Sequence, residues 1–159
     1  MKGYTFRDYN PERMARSLGV GLPLSSKQSF EICRFVKNKN LNDAKKILQE
    51  VVSLKTAIPF IRYNTDLGHK KKMGPGSYPS KASAQIIKLM EDVEANAQFK
   101  GLNTSNLVIA HISAHKAGKA WHYGRKSRRK MKRTTIEIVV EEKAKKEDAA
   151  KKTGGKGQK

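Results

Sequence analysis

Acidic residues are scarce in this chain: 14 Asp and Glu stand against 34 Lys and Arg, a formal net charge of +20 at pH 7 over 159 residues. Such an imbalance says little about fold, but it directs attention to polyanionic partners, nucleic acid or an anionic membrane. Cysteine is nearly absent. Cys33 alone excludes an intrachain disulfide and fits a reducing compartment. No apolar run approaches the ~20 residues of a spanning helix, no lipidation signal is present, and Met1-Lys2-Gly3-Tyr4 leads into no apolar signal core. These absences set the expectation of a soluble intracellular protein without membrane insertion. Hydrophobic residues, 37% of the chain, suffice for one modest core. The charge is not confined to a tail: residues 1–140 hold 27 Lys/Arg and 10 Asp/Glu, a net of +17, and the last 19 residues add +3.

What the chain does have is a basic ribbon. From Ser105 to Glu142, two apolar stretches rich in β-branched residues bracket a cationic middle. Leu107-Val108-Ile109-Ala110 continues into His111-Ile112-Ser113-Ala114-His115, and the return is Thr134-Thr135-Ile136-Glu137-Ile138-Val139-Val140-Glu141. In the return, Ile136, Ile138 and Val140 alternate with Thr135, Glu137 and Glu141, the period of a half-buried strand. The segment between, Lys116 to Arg133, carries nine Lys/Arg and no Asp or Glu. Its cations are Lys116, Lys119, Arg125, Lys126, Arg128, Arg129, Lys130, Lys132 and Arg133, with Trp121, His122 and Tyr123 among them. Such a segment cannot pack on its own core, because unpaired ammonium and guanidinium groups are costly to bury. Against a phosphate backbone the same charges displace counterions, and guanidinium groups and flat rings stack on unpaired bases. Fully extended, Ser105 to Gly124 could reach ~65 Å, and a two-stranded ribbon of that reach is marginal without a partner surface.

Tyr4-Thr5-Phe6 reads as a short first strand, and Asp8 to Gly21, lacking periodicity, as an extended basic arm with Arg7, Arg13 and Arg16. Ser25 and Ser26 are candidate N-caps of a first helix running to about Asn38, whose stripe is Phe30, Cys33 and Val36 with Ile32 beside them. Cys33 on that stripe is read as a small core residue. A second helix starts near Leu41, capped by Asn40, and buries Ala44, Ile47, Leu48, Val51 and Val52. From Pro59 to Pro79 the chain reads as a long irregular loop, a length that points to function or disorder. Arg62, Lys70, Lys71 and Lys72, interleaved with Tyr63 and Tyr78, make it a second cationic-aromatic patch. Its Gly74-Pro75-Gly76 lacks the spacing and ending of a P-loop. Ser80 caps a third and longest helix to about Lys100, stopped by Gly101, with Ala82, Ile86, Ile87, Met90, Val93 and Ala97 on one face. Strand, three helices and two strands predict a two-layer β-α-α-α-β-β domain of the α+β class. It covers residues 1–142, its long protruding hairpin taking about 105–142; residues 143–159 are expected to be a charged, disordered tail.

No constellation of catalytic groups emerges. His111 and His115 stand four apart, the spacing of a zinc pair on a helix. On a strand the same spacing separates them by ~13 Å, too far to share a metal, so they are read as covering the ribbon face or meeting RNA. Asp8, Asp43, Asp66 and Asp92 are scattered, and nothing has the form of a nucleophile elbow. The expectation is a non-enzyme with no cofactor and no metal. Two binding roles fit the residues: an RNA-binding scaffold, or a DNA-architectural protein with a basic β-ribbon arm. The latter normally needs a dimer to present two arms, and no helix surface for one is evident, so no homo-oligomer is expected.

Many short runs, in one order, carry a resemblance. They are Tyr4-Thr5-Phe6, Asp8-Tyr9-Asn10-Pro11-Glu12-Arg13-Met14-Ala15-Arg16, Leu41-Asn42-Asp43-Ala44 and Val52-Ser53-Leu54-Lys55. Pro59-Phe60-Ile61-Arg62-Tyr63-Asn64, Gly74-Pro75-Gly76-Ser77-Tyr78-Pro79-Ser80-Lys81-Ala82 and Glu94-Ala95-Asn96-Ala97 with Lys100-Gly101-Leu102 follow. His111-Ile112-Ser113-Ala114-His115-Lys116 and Thr134-Thr135-Ile136-Glu137-Ile138-Val139-Val140-Glu141-Glu142 close the series. Over residues 1–142 the chain resembles the family of ribosomal large-subunit protein twenty-two in its archaeal and eukaryotic form, counted as seventeen in the older eukaryotic naming. The resemblance implies a β-α-α-α-β-β body on the ribosome surface and a long hairpin threaded through large-subunit rRNA to the nascent-peptide exit tunnel. It implies, as partners, rRNA, neighbouring large-subunit proteins and the nascent polypeptide, in the cytoplasm. Carried over by position, Arg13 and Arg16 of the arm should meet rRNA. So should Arg62, Tyr63, His69 to Lys72, Tyr78 and Lys81 of the loop region, and His115, Lys116 to Arg133 of the ribbon. Members usually carry an aromatic-Pro-Arg-Ala-x-Gly-Arg-like run at the tip. This chain instead has Trp121-His122-Tyr123-Gly124-Arg125-Lys126-Ser127-Arg128-Arg129 in a shorter segment, so Trp121, His122, Tyr123, Gly124 and Arg125 are candidates for the tunnel rather than assigned to it.

Overall fold

The β-branched run Thr134–Glu142 lies at the middle of the protein. In the computed structural model, which describes residues 3–143, it is the central strand of an antiparallel sheet. Met14–Leu22 pairs with one of its edges and Leu107–Lys116 with the other. In chain order the elements are β1 (Met14–Leu22), α1 (Ser26–Val36), α2 (Leu41–Val52), β2 (Ile58–Pro59), β3 (His69–Lys70), β4 (Gly74–Ser77), α3 (Ser80–Phe99), β5 (Leu107–Lys116) and β6 (Thr134–Glu142). This is an α+β fold in which the helices cover one face of the β1-β6-β5 sheet: α3 lies on β1, α1 on β5, and α2 against α3. Ile136, Ile138 and Val140 of β6 enter one core with Ile32 and Val36 of α1, Leu41 and Leu48 of α2, and Ile86, Met90 and Val93 of α3.

β6 departs from the half-buried pattern. Residues 134 to 140 are all buried, because the face away from the helices is also covered. Residues Tyr4-Thr5-Phe6 form no strand; they lie across that outer face, with Thr5 bonded to Glu137 and the Phe6 ring 5.1 Å from the His111 ring. The first strand comes later, inside the stretch read as an arm. Its inward residues are Ala15, Ser17 and Gly19, too small to show a hydrophobic alternation. Gly19 must be small, because α3 lies close: a Cβ there would come within 2.8 Å of Leu89 Cδ1.

The segment 59–79 is not wholly irregular either. β2, β4 and β3 make a small second antiparallel sheet, with Ile58 opposite Ser77 and His69 opposite Pro75. Strands of two to four residues rich in Pro and Gly leave no periodic signal. Helix ends are close to expectation. Asn40 caps α2, its side chain accepting from the Asn42 amide at 2.9 Å, and Gly101 follows α3 with φ +76°. Ser25 occupies the N-cap of α1 but its side chain makes no capping bond, and Ser80 is the first residue of α3, with Pro79 before it. The open edge of β5 is partly covered by the turn between α1 and α2. Asn38 N donates to Ile109 O and Ile109 N to Lys39 O, both at 3.0 Å, where the register of β5 shifts between Ile109 and His111. The expected tail, apart from residue 143, lies outside the described residues.

Within α3, Leu89 is buried although it stood outside the anticipated stripe, and Ile87 is only partly buried. Met90 is fully enclosed. Replacing Met90 by Ala is expected to lower stability by about 2–5 kcal/mol, and Ile87→Ala by distinctly less, measured by chemical denaturation of the purified chain.

Candidate nucleic-acid interface

Lys27, Phe30, Arg34 and Lys37 follow one another at gaps of three, four and three residues, so α1 and its C-cap carry them along one side. The neighbouring Glu31 points inward and is 1% exposed. Its carboxylate accepts from the backbone amides of Ile61, Arg62 and Tyr63 at 3.3, 2.9 and 2.8 Å. This nest of amides holds the start of the long loop against α1. The Arg62 guanidinium consequently rests 5.2 Å from the centre of the Phe30 ring and 5.5 Å from that of Tyr63, and the two rings meet edge to face at 5.3 Å. A groove of about 560 Å³ opens between α1 and the end of β5, lined by Phe30, Cys33, Arg34, Lys37, Arg62 and Ile112 to His115. Next to it a cleft of about 230 Å³ gathers Lys27, Lys116, Lys119, Lys132 and Arg133 around the start of α1. Burial pushes the Cys33 thiol up to about 12, which keeps it protonated and unreactive at neutral pH.

Beyond Lys116 the two chains of the ribbon stay paired. Ala117 N donates to Arg133 O at 3.1 Å, Met131 N to Ala120 O at 2.8 Å and His122 N to Arg129 O at 2.8 Å. Trp121 and Lys130 form a bridge, and the Lys130 ammonium lies 4.6 Å from the centre of the indole ring. A single 3-10 turn, Gly124–Lys126, closes the end. Trp121 is 58% and Tyr123 86% exposed, and Lys119, Arg125, Lys126, Arg128, Arg129, Lys132 and Arg133 are exposed as well, while His122 is partly covered. Arg133 sits where Gly21 has no side chain: a Cβ there would lie 2.6 Å from Arg133 Nε.

The other anticipated residues fall in two further places. Arg16 stands between the rings of Tyr4 and Tyr9, 4.3 Å from each centre, and Arg13 is exposed beside it in the chain, its carbonyl accepting from Glu142 N at 3.0 Å. Lys100, not anticipated, ties this region together by donating to Tyr9 OH at 2.6 Å and to Met14 O at 2.9 Å. His69 and Lys70 are exposed in β3, Lys71 and Lys72 in the turn after it, and Lys81 on the first turn of α3. Lys70 lies 5.3 Å over the Tyr78 ring. The loop's anticipated residues thus divide: Arg62 and Tyr63 join α1 and β5, whereas His69 to Lys72 and Tyr78 belong to the small sheet. Among the described residues Lys45, on Glu94, is the one lysine or arginine in a salt bridge, and Arg16, Arg62, Lys70, Lys100 and Lys130 lie over aromatic rings instead. Lys27, Arg34 and Lys37 escaped the sequence reading, although their helical spacing alongside Phe30 was the available signal.

His111 and His115 do not simply cover the ribbon face. Both reach one carboxylate: His111 Nε2 is 2.7 Å and His115 Nε2 3.5 Å from Glu137 Oε1. A strand separation of Cα atoms does not bound side chains that lean towards a common partner. The Ser113 hydroxyl donates to Glu137 at 2.9 Å, so at 2.6 Å His115 Nε2 must be the donor to Ser113 Oγ. Thr5 adds two bonds, from its amide at 2.8 Å and from its hydroxyl. Glu137 is 1% exposed. Its burial, the largest single influence, raises its pKa, but the donors from Thr5, His111 and Ser113 together outweigh it and hold the carboxyl at about 2 against an ordinary 4.5. Among the described residues no group of three or more His, Cys, Asp or Glu is arranged to hold a metal ion, and no helix is long and apolar enough to cross a membrane.

Comparison with known proteins adds to this geometry. The family model described as ribosomal protein L22p/L17e matches residues 19–141. A protein of Archaeoglobus fulgidus named large ribosomal subunit protein uL22 is 36% identical over 146 residues, covering 87% of this chain and 94% of the relative. Proteins of the same name from Methanosphaera stadtmanae and Methanoculleus marisnigri are 37% and 42% identical, over 87% and 82% of this chain and 96% and 91% of theirs.

The Glu137 cluster makes a pH prediction. Because its folded pKa is depressed, its contribution is complete above about pH 4.5 and is lost as pH falls towards 2. Glu137→Gln should be less stable than the parent at neutral pH, by on the order of 3 kcal/mol. The difference should shrink through that window in denaturation curves recorded from pH 6 down to ~2.

Proposed function

The chain belongs to the ribosomal protein L22p/L17e family, and from that premise we propose that it is a structural constituent of the large ribosomal subunit, acting in the cytoplasm by binding rRNA and not by catalysis. The observation that carries this reading is the state of its cations. Lys116 to Arg133 holds nine of them on a paired ribbon, without a carboxylate among them and with Trp121 and Tyr123 open to solvent. Charges so disposed repel one another in water and gain most from phosphate, where each contact releases condensed counterions. The rings and guanidinium planes add stacking on unpaired bases, and specificity comes from RNA shape and stacking.

On this reading the body is seated by three surfaces: Arg13 and Arg16 beside β1, His69 to Lys72 with Tyr78 and Lys81 around the small sheet, and the α1–β5 face with Arg62, Tyr63 and the ribbon root. The ribbon then extends between rRNA segments, and Trp121 to Arg125 at its end is the part we assign to the exit tunnel and the nascent polypeptide. Neighbouring large-subunit proteins complete the set of partners. Family membership favours this reading over a DNA-architectural one.

Sucrose-gradient sedimentation of cell extracts tests it: the tagged chain should travel with the large subunit and be released at high salt, and a chain found on DNA as a free dimer would falsify the proposal. Deleting Trp121 to Lys130 should leave cooperative unfolding of the purified body intact while impairing subunit assembly or peptide passage. Loss of the cooperative transition would show that body and ribbon are not separable.

A further inference from the structure

We infer that the groove between α1 and the end of β5 receives one unstacked nucleotide of single-stranded RNA. The inference rests on the rRNA-binding reading above and names the chemistry of one part of that surface. The groove has an apolar floor, made by Phe30, Cys33, Ile112 and Ala114, and a cationic rim of Arg34, Lys37 and Arg62. None of its lining residues is an acid. Glu31, the carboxylate on the same helix, is buried with its oxygens accepting from three backbone amides, so it does not offset the rim.

Shape and charge together select the occupant. A volume of about 560 Å³ lies within the ~300–1,000 Å³ range of sites that enclose small molecules, and it accommodates a base with its sugar. A duplex meets proteins through its grooves and backbone and cannot put a base on a recessed floor, whereas splayed bases of single strands can be stacked on aromatic rings and guanidinium planes. Phe30 with Arg62 over it is such a platform. Arg34 and Lys37, both exposed on the last turns of α1, stand beside it for the flanking phosphates. An apolar peptide segment would satisfy the floor but leave three cations unmatched, which favours RNA. Glu31 acts as a positioning residue, since its hold on the Arg62 amide builds the platform before RNA arrives.

The full chain is tested with a labelled single-stranded RNA of about ten nucleotides containing one 2-aminopurine, alongside a duplex of equal length. Binding of the single strand should raise the 2-aminopurine emission, because a base that leaves its stacked neighbours is no longer quenched by them. The double variant Arg34→Ala/Lys37→Ala, at exposed positions that do not endanger folding, should weaken single-strand binding roughly tenfold and leave duplex binding nearly unchanged. Phe30→Leu should remove that rise. If these variants bind RNA and raise the emission like the parent while Lys119→Ala/Lys132→Ala weakens RNA binding, the groove inference is overturned and the rRNA reading stands. A parent chain that binds neither RNA overturns both. In assembled large subunits, a photocrosslinking residue in place of Lys37 should join to rRNA; joining to a protein instead overturns the groove inference.

Discussion

A carboxylate in the middle of the central strand constrains the whole arrangement. An ionised carboxylate taken out of water loses several kcal/mol of hydration unless its lone pairs are met. Those of Glu137 are met from two other segments, by Thr5 on one side and by His111 and Ser113 of β5 on the other. The demand fixes the register of β5, which sets His111 opposite Val139 and Ser113 opposite Glu137. A slip by one residue would turn these donors towards the helices and leave the charge unmatched. It also draws the N-terminal segment across a sheet face that would otherwise be wet, where Phe6 meets His111 and Tyr4 meets Arg16.

The second buried acid works in the same way within a single loop. Glu31 gathers three consecutive amides and so converts a stretch of loop into a fixed support for Arg62 and Tyr63. In both places a negative charge is placed inside, hydrogen-bonded to backbone amides, hydroxyls or histidines, while arginine and lysine remain outside, Arg16 and Arg62 among them against aromatic rings. The surface presented to an approaching polyanion is therefore more positive than the formal net charge suggests, since two of the few acids lie beneath it.

Much of this was legible in the amino-acid sequence. Helical periodicity located all three helices, Asn40 marked the start of α2 and Gly101 the end of α3, and β-branched runs gave β5 and β6. The charge of the ribbon was plain. What escaped had physical reasons. β1 was hidden because its inward residues Ala15, Ser17 and Gly19 are small, Gly19 of necessity under α3, and smallness leaves no alternation. β6 looked amphipathic because Glu137 is polar; that a polar residue can be buried depends on donors more than 20 and 130 residues away, which local pattern cannot supply. Of the candidate site, the cations of loop and ribbon could be named one by one, but their division between separate surfaces, and the part played by Lys27, Phe30, Arg34 and Lys37, required the packing of α1 on β5.

The place where β1 ends and β6 begins has a mechanical meaning. Gly21, in a left-handed conformation and without a side chain, leaves the space into which the Arg133 guanidinium fits at the base of the ribbon. Glycine and guanidinium fit one another by shape, at the point where the paired β5 and β6 run on into the ribbon. A side chain at position 21 would take that space and turn the exposed Arg133 guanidinium out towards solvent, so the glycine decides where one cation at the ribbon's root stands.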